Sequence, residues 1–212
     1  MSGVKERLLN VSERLFCEQG FGSTTVREIT SEAKCNVASV NYYFGSKEML
    51  YEAMFRRRLK MMRDTRIEAI RGVMEGPENE RNVENVIRAF ARAFVGPLEE
   101  GGVSFIQLKL ILREVLECHL TQAIAFDEMI IPVWKYLSSA LMSLCPGMSS
   151  KHALFCIHSI VSQLIHLVRM KDTPMNLIEE NPRPFDLDEA IEHIVAFSRA
   201  GVEEIAKGIA VG

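Results

Sequence analysis

The chain has 212 residues, 48% of them hydrophobic, which is enough for one large domain or two small ones around a sizeable core. Its net charge is −3, but residues 1–71 carry 13 Lys+Arg against 9 Asp+Glu, whereas residues 72–212 carry 12 against 19. A basic head on an acidic body points to contact with a polyanion by the N-terminal part alone.

The first residues, MSGVKERLLNVSERLF, carry charges every few positions and no apolar h-region, so no signal peptide is expected. Cys17, Cys35, Cys118, Cys145 and Cys156 are odd in number and lack paired spacing, which reads as reduced thiols in a cytoplasmic protein. Helical periodicity dominates throughout and no alternating strand pattern is present. Helix 1 is predicted from about Gly3 to Glu18, with Ser2 as cap and a stripe of Val4, Leu8, Val11 and Leu15 widened by Leu9 and Phe16. The glycines of QGFGS, 19–23, release it. Thr25 and Glu28 then have the spacing of a capping box, opening a second helix with a stripe of Val26, Ile29 and Ala33.

The third helix is predicted to start near Asn36, a good N-cap residue, and to stop at Gly45. At 100° per residue, Val37, Val40 and Phe44 share one narrow sector and are expected to anchor it. Ala38, Ser39 and Tyr42 point the opposite way, with Asn41 and Tyr43 on the flanks. Two helices of about two turns joined by KCN have helix-turn-helix scale, in which the second lies in the major groove. Small side chains permit close approach, Ser and Asn can donate and accept at base edges, and Ala can meet a thymine methyl. A flanking tyrosine hydroxyl reaches phosphate, which sets register without reading sequence. Ser46 can cap a long fourth helix reaching about Arg71, and Lys47 at its start adds a charge where backbone N–H groups already favour phosphate. The basic FRRRLK, 55–60, reads either as a phosphate contact or, preferably, as the solvated outer face of that helix.

The order and spacing of GFGSTTVREIT, NVASVNYYF and GSKEMLYEAM resemble the N-terminal domain of the TetR family of bacterial transcriptional regulators. That resemblance implies DNA contacts from Thr25 and Arg27, from the third helix through Ala38, Ser39, Asn41, Tyr42 and Tyr43, and from Lys47. One position departs from the family pattern: Lys34 stands in the turn where glycine is usual. A left-handed backbone there costs a non-glycine residue about 1 kcal/mol, so either Lys34 accepts the strain or the turn is remodelled.

GVMEGPENE, 72–80, is the clearest linker, and helical patterns follow at about 82–96, 103–118, 121–144, 149–171 and 187–209. GPLEEGG, CPGMSS and TPMNLIEENPRPF separate most of them, and Asp186 with Glu189 repeats the capping-box spacing. The most apolar run, 153–168, is shorter than the ~20 residues of a membrane span and reads as a buried helix. The expected architecture is all-α: a three-helix helix-turn-helix head, residues 1–47, and a larger helical body, residues 48–212, joined by the long helix.

The family resemblance implies that the body dimerises through its last two long helices and holds an effector pocket. Helix 149–171 is apolar nearly all round and must be covered on more than one side. Leu154, Ile157, Val161 and Ile165 with Ile194, Gly201 and Ile205 are the expected dimer surface. Phe90, Phe94, Phe105, Leu108, Phe126 and Trp134, with Arg113 and His158 as polar groups, are the expected effector pocket, although any one of them taken singly reads better as ordinary core or surface. FIQLKLILREVLE resembles the C-terminal region of a TetR subgroup that includes the cefoperazone and chloramphenicol sensitivity regulator. No metal site, cofactor loop or catalytic constellation is recognisable, and His152 with Cys156 reads as packing. The leading expectation is a homodimeric, ligand-responsive repressor that binds a palindromic operator in double-stranded DNA, with no membrane partner. A DNA-bound recruiter of other proteins and an all-α enzyme are the competing classes.

Overall fold

The computed structural model describes residues 3–100, 108, 110–112, 123–170 and 186–209. Every regular element among the described residues is helical. They fall into two compact units, one of residues 1–61 with 100–129 and one of residues 62–99 with 130–212.

In the first unit, α1 (Val4–Gln19), α2 (Val26–Glu32), α3 (Ala38–Phe44) and the start of α4 (Lys47–Met74) enclose one apolar cluster. α1 buries Leu8 and Leu15, two turns apart, together with Leu9 and Phe16. It stops at Gly20, whose φ of 82° lets its N–H reach the Phe16 carbonyl at 3.0 Å. Ile29 and Ala33 of the second segment, Val40 of α3 and Leu50 and Met54 of α4 complete the cluster. Full burial of each large aliphatic side chain contributes about 1.5–3 kcal/mol. The buried hydroxyls are satisfied locally: Ser12 donates to the Leu9 carbonyl at 3.0 Å and Thr24 to that of Gly20 at 2.9 Å.

Two local expectations change in this unit. Val37 is not an anchor but is 49% exposed, and half-buried Cys35 packs on the cluster instead. Helical phase alone could not distinguish them, because it sets Val37 beside Phe44 without showing that the core ends before the first turn of α3. The basic run of α4 is also not a plain solvated face. Arg57 donates to Glu6 at 2.8 Å, Asn10 at 2.7 Å and Glu13 at 2.5 Å, tying α4 to α1. Arg56 pairs with Glu52 at 2.9 Å and Glu128 at 2.7 Å.

In the second unit, a 3₁₀ turn (Glu78–Glu80) precedes α5 (Val83–Glu100). α5 runs through the predicted break at Gly96, because its amphipathic face carries Val83, Val86, Ile87, Phe90, Phe94 and Val95 into the core. A π-helical turn (Phe126–Ile130) leads into α6 (Ile131–Leu144), followed by α7 (Ser150–Met170) and α8 (Leu187–Ile209). Asp186 caps α8, accepting from the Glu189 N–H at 3.0 Å. α7 packs on both α6 and α8, burying Ala153, Cys156, Ile157, Ile160, Leu164, Leu167 and Val168. By length and composition α7, at 21 residues, could cross a membrane, contrary to the shorter run read from the sequence. Its buried face instead forms core with its two neighbours. Arg88 of α5 grips Glu192 of α8 at 2.9–3.1 Å and Glu84 at 2.6 Å, and these hydrogen bonds push its pKa further upward.

Candidate nucleic-acid interface

The N-terminus of α2 is closed by a complete capping box. The Thr25 hydroxyl accepts from the Glu28 N–H at 3.2 Å, and the Glu28 carboxylate accepts from the Thr25 N–H at 2.7 Å. The Thr25 hydroxyl hydrogen is directed to the same carboxylate at 2.7 Å. Hydrogen bonds from the Thr25 side chain and backbone hold the Glu28 carboxyl below its ordinary pKa, with a smaller contribution from the Lys47 charge. Arg27, the second residue of α2, is exposed.

The turn between α2 and α3 passes through Lys34 at φ 51°, the left-handed region in which glycine is at ease. The chain accepts the strain without remodelling the turn. The Lys34 N–H reaches the Ser31 carbonyl at 3.2 Å and the Cys35 N–H reaches that of Thr30 at 3.0 Å. Arg7 of α1 donates to the Ala33 carbonyl at 3.0 Å, fixing the end of α2.

Asn36 opens α3 by accepting from the Ala38 N–H through its side-chain oxygen at 2.8 Å. Val40 is fully buried and Phe44 half-buried, so this sector is the inward one, and Ala38, Asn41, Tyr42 and Tyr43 are exposed on the others. Ser39 is half-buried. Tyr42 is 81% exposed, and its ring meets that of Tyr43 edge-on at 4.8 Å between centroids. Gly45, at φ 87°, ends α3, and Ser46 caps α4 by accepting from the Met49 N–H at 3.2 Å. The Lys47 ammonium lies 4.3 Å from the centre of the Phe21 ring, which itself packs on Phe16 and Tyr51. The sequence carried no sign of this cation–π contact, because 26 positions separate the partners.

The other candidate residues lie in less uniform surroundings. Phe90 and Phe94 are packed in the core, edge-on at 6.0 Å. Arg66, only 4% exposed, lies 4.2 Å above the Phe94 ring, and burial lowers its guanidinium pKa to about 9. Leu108 is buried and Phe126 exposed, while Phe105 and Arg113 lie outside the described residues. Trp134 and His158 do meet, edge-on at 4.7 Å, with Trp134 half-buried and His158 exposed.

Of the expected dimer residues, Ile157 and Ile194 are buried within their own chain and so present no surface, whereas Val161 and Ile165 are half-buried. Leu154, Gly201 and Ile205 are exposed. The sequence reading missed Phe155 and Phe197, which are 53% and 67% exposed and line an apolar groove of about 170 Å³ between α7 and α8 with Gly201 and Ile205. Gln163 spans it by donating to the Ser198 hydroxyl at 3.2 Å. Among the described residues no three His, Cys, Asp or Glu side chains are grouped to hold a metal ion, and His152 is instead hydrogen-bonded to Ser149 at 2.9 Å.

Comparison with known proteins agrees with this geometry. Residues 8–54 match the family of bacterial regulatory proteins described as tetR family. Residues 83–202, more than half the chain, match the C-terminal domain of the HTH-type transcriptional dual regulator CecR. CecR of Shigella flexneri is 46% identical over 50 residues, 24% of this chain and 22% of that protein. The HTH-type transcriptional repressor AcnR of Corynebacterium efficiens is 29% identical over 79 residues, 35% of this chain and 42% of that protein. These matches thus span less than half the length of the curated relatives. A crystal structure of a transcriptional regulator (TerR/AcrR family) from Aquifex aeolicus VF5 superimposes with a TM-score of 0.58 at 22% identity, covering 96% of this chain and 99% of that one.

Proposed function

The chain belongs to the tetR family of bacterial regulatory proteins, DNA-binding transcriptional regulators and not enzymes, and from that premise we propose that it acts in the cytoplasm as a homodimeric repressor, released from a palindromic operator by a small molecule. The observation that carries this reading is the outward face of α3, where Tyr42 is 81% exposed beside Ala38, Asn41 and Tyr43 while Val40 and Phe44 face inward. A helix anchored on one side and polar-aromatic on the other suits the major groove. In this reading residues 1–47 bind DNA, with Ala38, Ser39, Asn41 and Tyr42 at base edges. Thr25, Arg27, Tyr43 and Lys47 then serve as backbone contacts.

Residues 48–212 carry dimerisation and effector binding. The α7–α8 groove, with Phe155 and Phe197 exposed and Gly201 open to close approach, supports a twofold contact between copies. A twofold dimer reads half-sites one helical turn, about 34–36 Å, or a multiple of it apart. The Trp134–His158 pair is the aromatic surface proposed for the effector, which acts by favouring a spacing of the two heads that no longer fits successive grooves.

The test is a gel-shift titration on DNA flanking the chain's own gene, repeated with ligands found by thermal-shift screening of a metabolite and antibiotic library. Binding by a dimer, weakened about 5–150-fold by one of those ligands, supports the reading. Monomers at binding concentrations, or a ligand that stabilises the protein and leaves DNA affinity unchanged, overturn it. Reporter expression that rises on ligand addition supports repression, and a fall assigns activation.

A further inference from the structure

The exposed position of Val37 changes what the reading helix can recognise. Its backbone, at φ −55° and ψ −35°, is already helical, so the 100° step applies from Val37 onward. That phase sets Val37 on the Phe44 side of the helix, but at its first turn it lies past the core and is 49% exposed; Asn41, one turn on, is exposed beside it, as are Ala38 and Tyr42 on the next ridge. The Asn36 side-chain oxygen is engaged with the Ala38 N–H, and Cys35 is held on the apolar cluster. Beside the half-buried Ser39, the leading turn of α3 therefore presents hydrocarbon, the Val37 isopropyl and the Ala38 methyl, and further polar groups come a turn later with Asn41 and Tyr42.

On the major-groove edge of DNA the one methyl group is the 5-methyl of thymine; cytosine offers only a C5–H there, and the other reading positions are donors or acceptors. An isopropyl group set against those polar edges would strip water without replacing its hydrogen bonds, and against the methyl it buries apolar surface on both sides. We propose that Val37 is a specificity-determining residue whose isopropyl group packs on a thymine methyl in each half-site. This inference rests on the DNA-binding reading and adds to it a chemical requirement on the operator.

The test uses the full-length protein to select its site from a random duplex pool. Each thymine of the selected half-site is then replaced singly by deoxyuridine, which removes only the methyl. Affinities are measured by fluorescence anisotropy for the natural chain and Val37→Ala, after circular dichroism melting has shown equal stability. The natural chain is expected to lose about fourfold at one thymine per half-site, the transfer value of one buried methylene. Val37→Ala is expected to bind the thymine and deoxyuridine duplexes equally there. A Val37→Ala protein that keeps the preference, or a natural chain indifferent to every replacement, overturns the proposal. A chain that selects no duplex overturns it together with the DNA-binding reading, so the two failures are distinct.

Discussion

Arg57 of α4 meets Glu13 of α1 at 2.5 Å, and the same guanidinium reaches Glu6 and Asn10, the preceding members of that α1 ridge. The Glu13 side chain is 10% exposed, so the contact is shielded and solvent screens it less than an exposed pair. Arg57→Ala is expected to lower stability by about 2 kcal/mol, the range for hydrogen bonds to charged groups, read from the urea midpoint. Arg57→Lys should recover only part, since one ammonium cannot present the same fork. A midpoint unchanged by Arg57→Ala contradicts the role of this contact.

Tyr42 is 81% exposed and supports no core packing. Tyr42→Ala should therefore weaken operator binding more than tenfold while the dimer and the melting temperature stay unchanged. Gel-shift titration beside sedimentation velocity checks this, and undiminished affinity would remove α3 from the reading role.

Lys34 holds φ 51° with a Cβ that resists it. Lys34→Gly should stabilise the chain by about 1 kcal/mol, which for a chain of this size raises Tm by roughly 2–4 °C. Differential scanning calorimetry gives the answer directly. A lower Tm would mean that contacts of the lysine side chain outweigh the backbone cost.

Hydrogen bonds from Arg88 hold the Glu192 carboxyl below its ordinary pKa of 4.5. A depressed carboxylate contributes stability that is fully present above the unfolded pKa and is lost as pH falls through the lower folded value. Glu192→Gln should thus reduce stability at neutral pH and flatten its decline below about pH 4.5, with a small amplitude because the pair is partly exposed. Identical acid-unfolding curves for the two proteins would contradict this.

Phe197 stands 67% exposed in the α7–α8 groove. Phe197→Glu should shift the chain from dimer to monomer by light scattering and reduce operator affinity, without lowering monomer stability. A dimer that survives the substitution places its interface elsewhere.

Local signals of the head were readable from the sequence because their partners are neighbours. Thr25 with Glu28 forms the capping box its spacing predicts, and of the two alternatives left open for Lys34 the turn takes the strained one; in the body, Asp186 likewise caps its helix by accepting from the Glu189 N–H. What escaped depends on contacts distant in the chain. The Arg57 fork joins residues 44 to 51 positions apart, so a basic run looked like a solvated face. α7 is apolar on all sides, and its sequence did not show that Ile157 faces its own neighbours while Phe155 faces out. Val37 was misassigned because a wheel gives the phase of a helix but not how far along its axis the core extends.

The Phe21 ring under the Lys47 ammonium has a consequence for how fast and how sharply the head can engage a polyanion. A free lysine samples many rotamers, and gripping a phosphate would freeze them at a cost of up to ~2 kcal/mol. With Nζ already 4.3 Å over an aromatic face that is itself wedged against Phe16 and Tyr51, much of that freedom is gone before any partner arrives. Replacing Phe21 by leucine would leave the charge count of the head untouched and still slacken the side chain, separating the value of a cation's presence from the value of its being held in place.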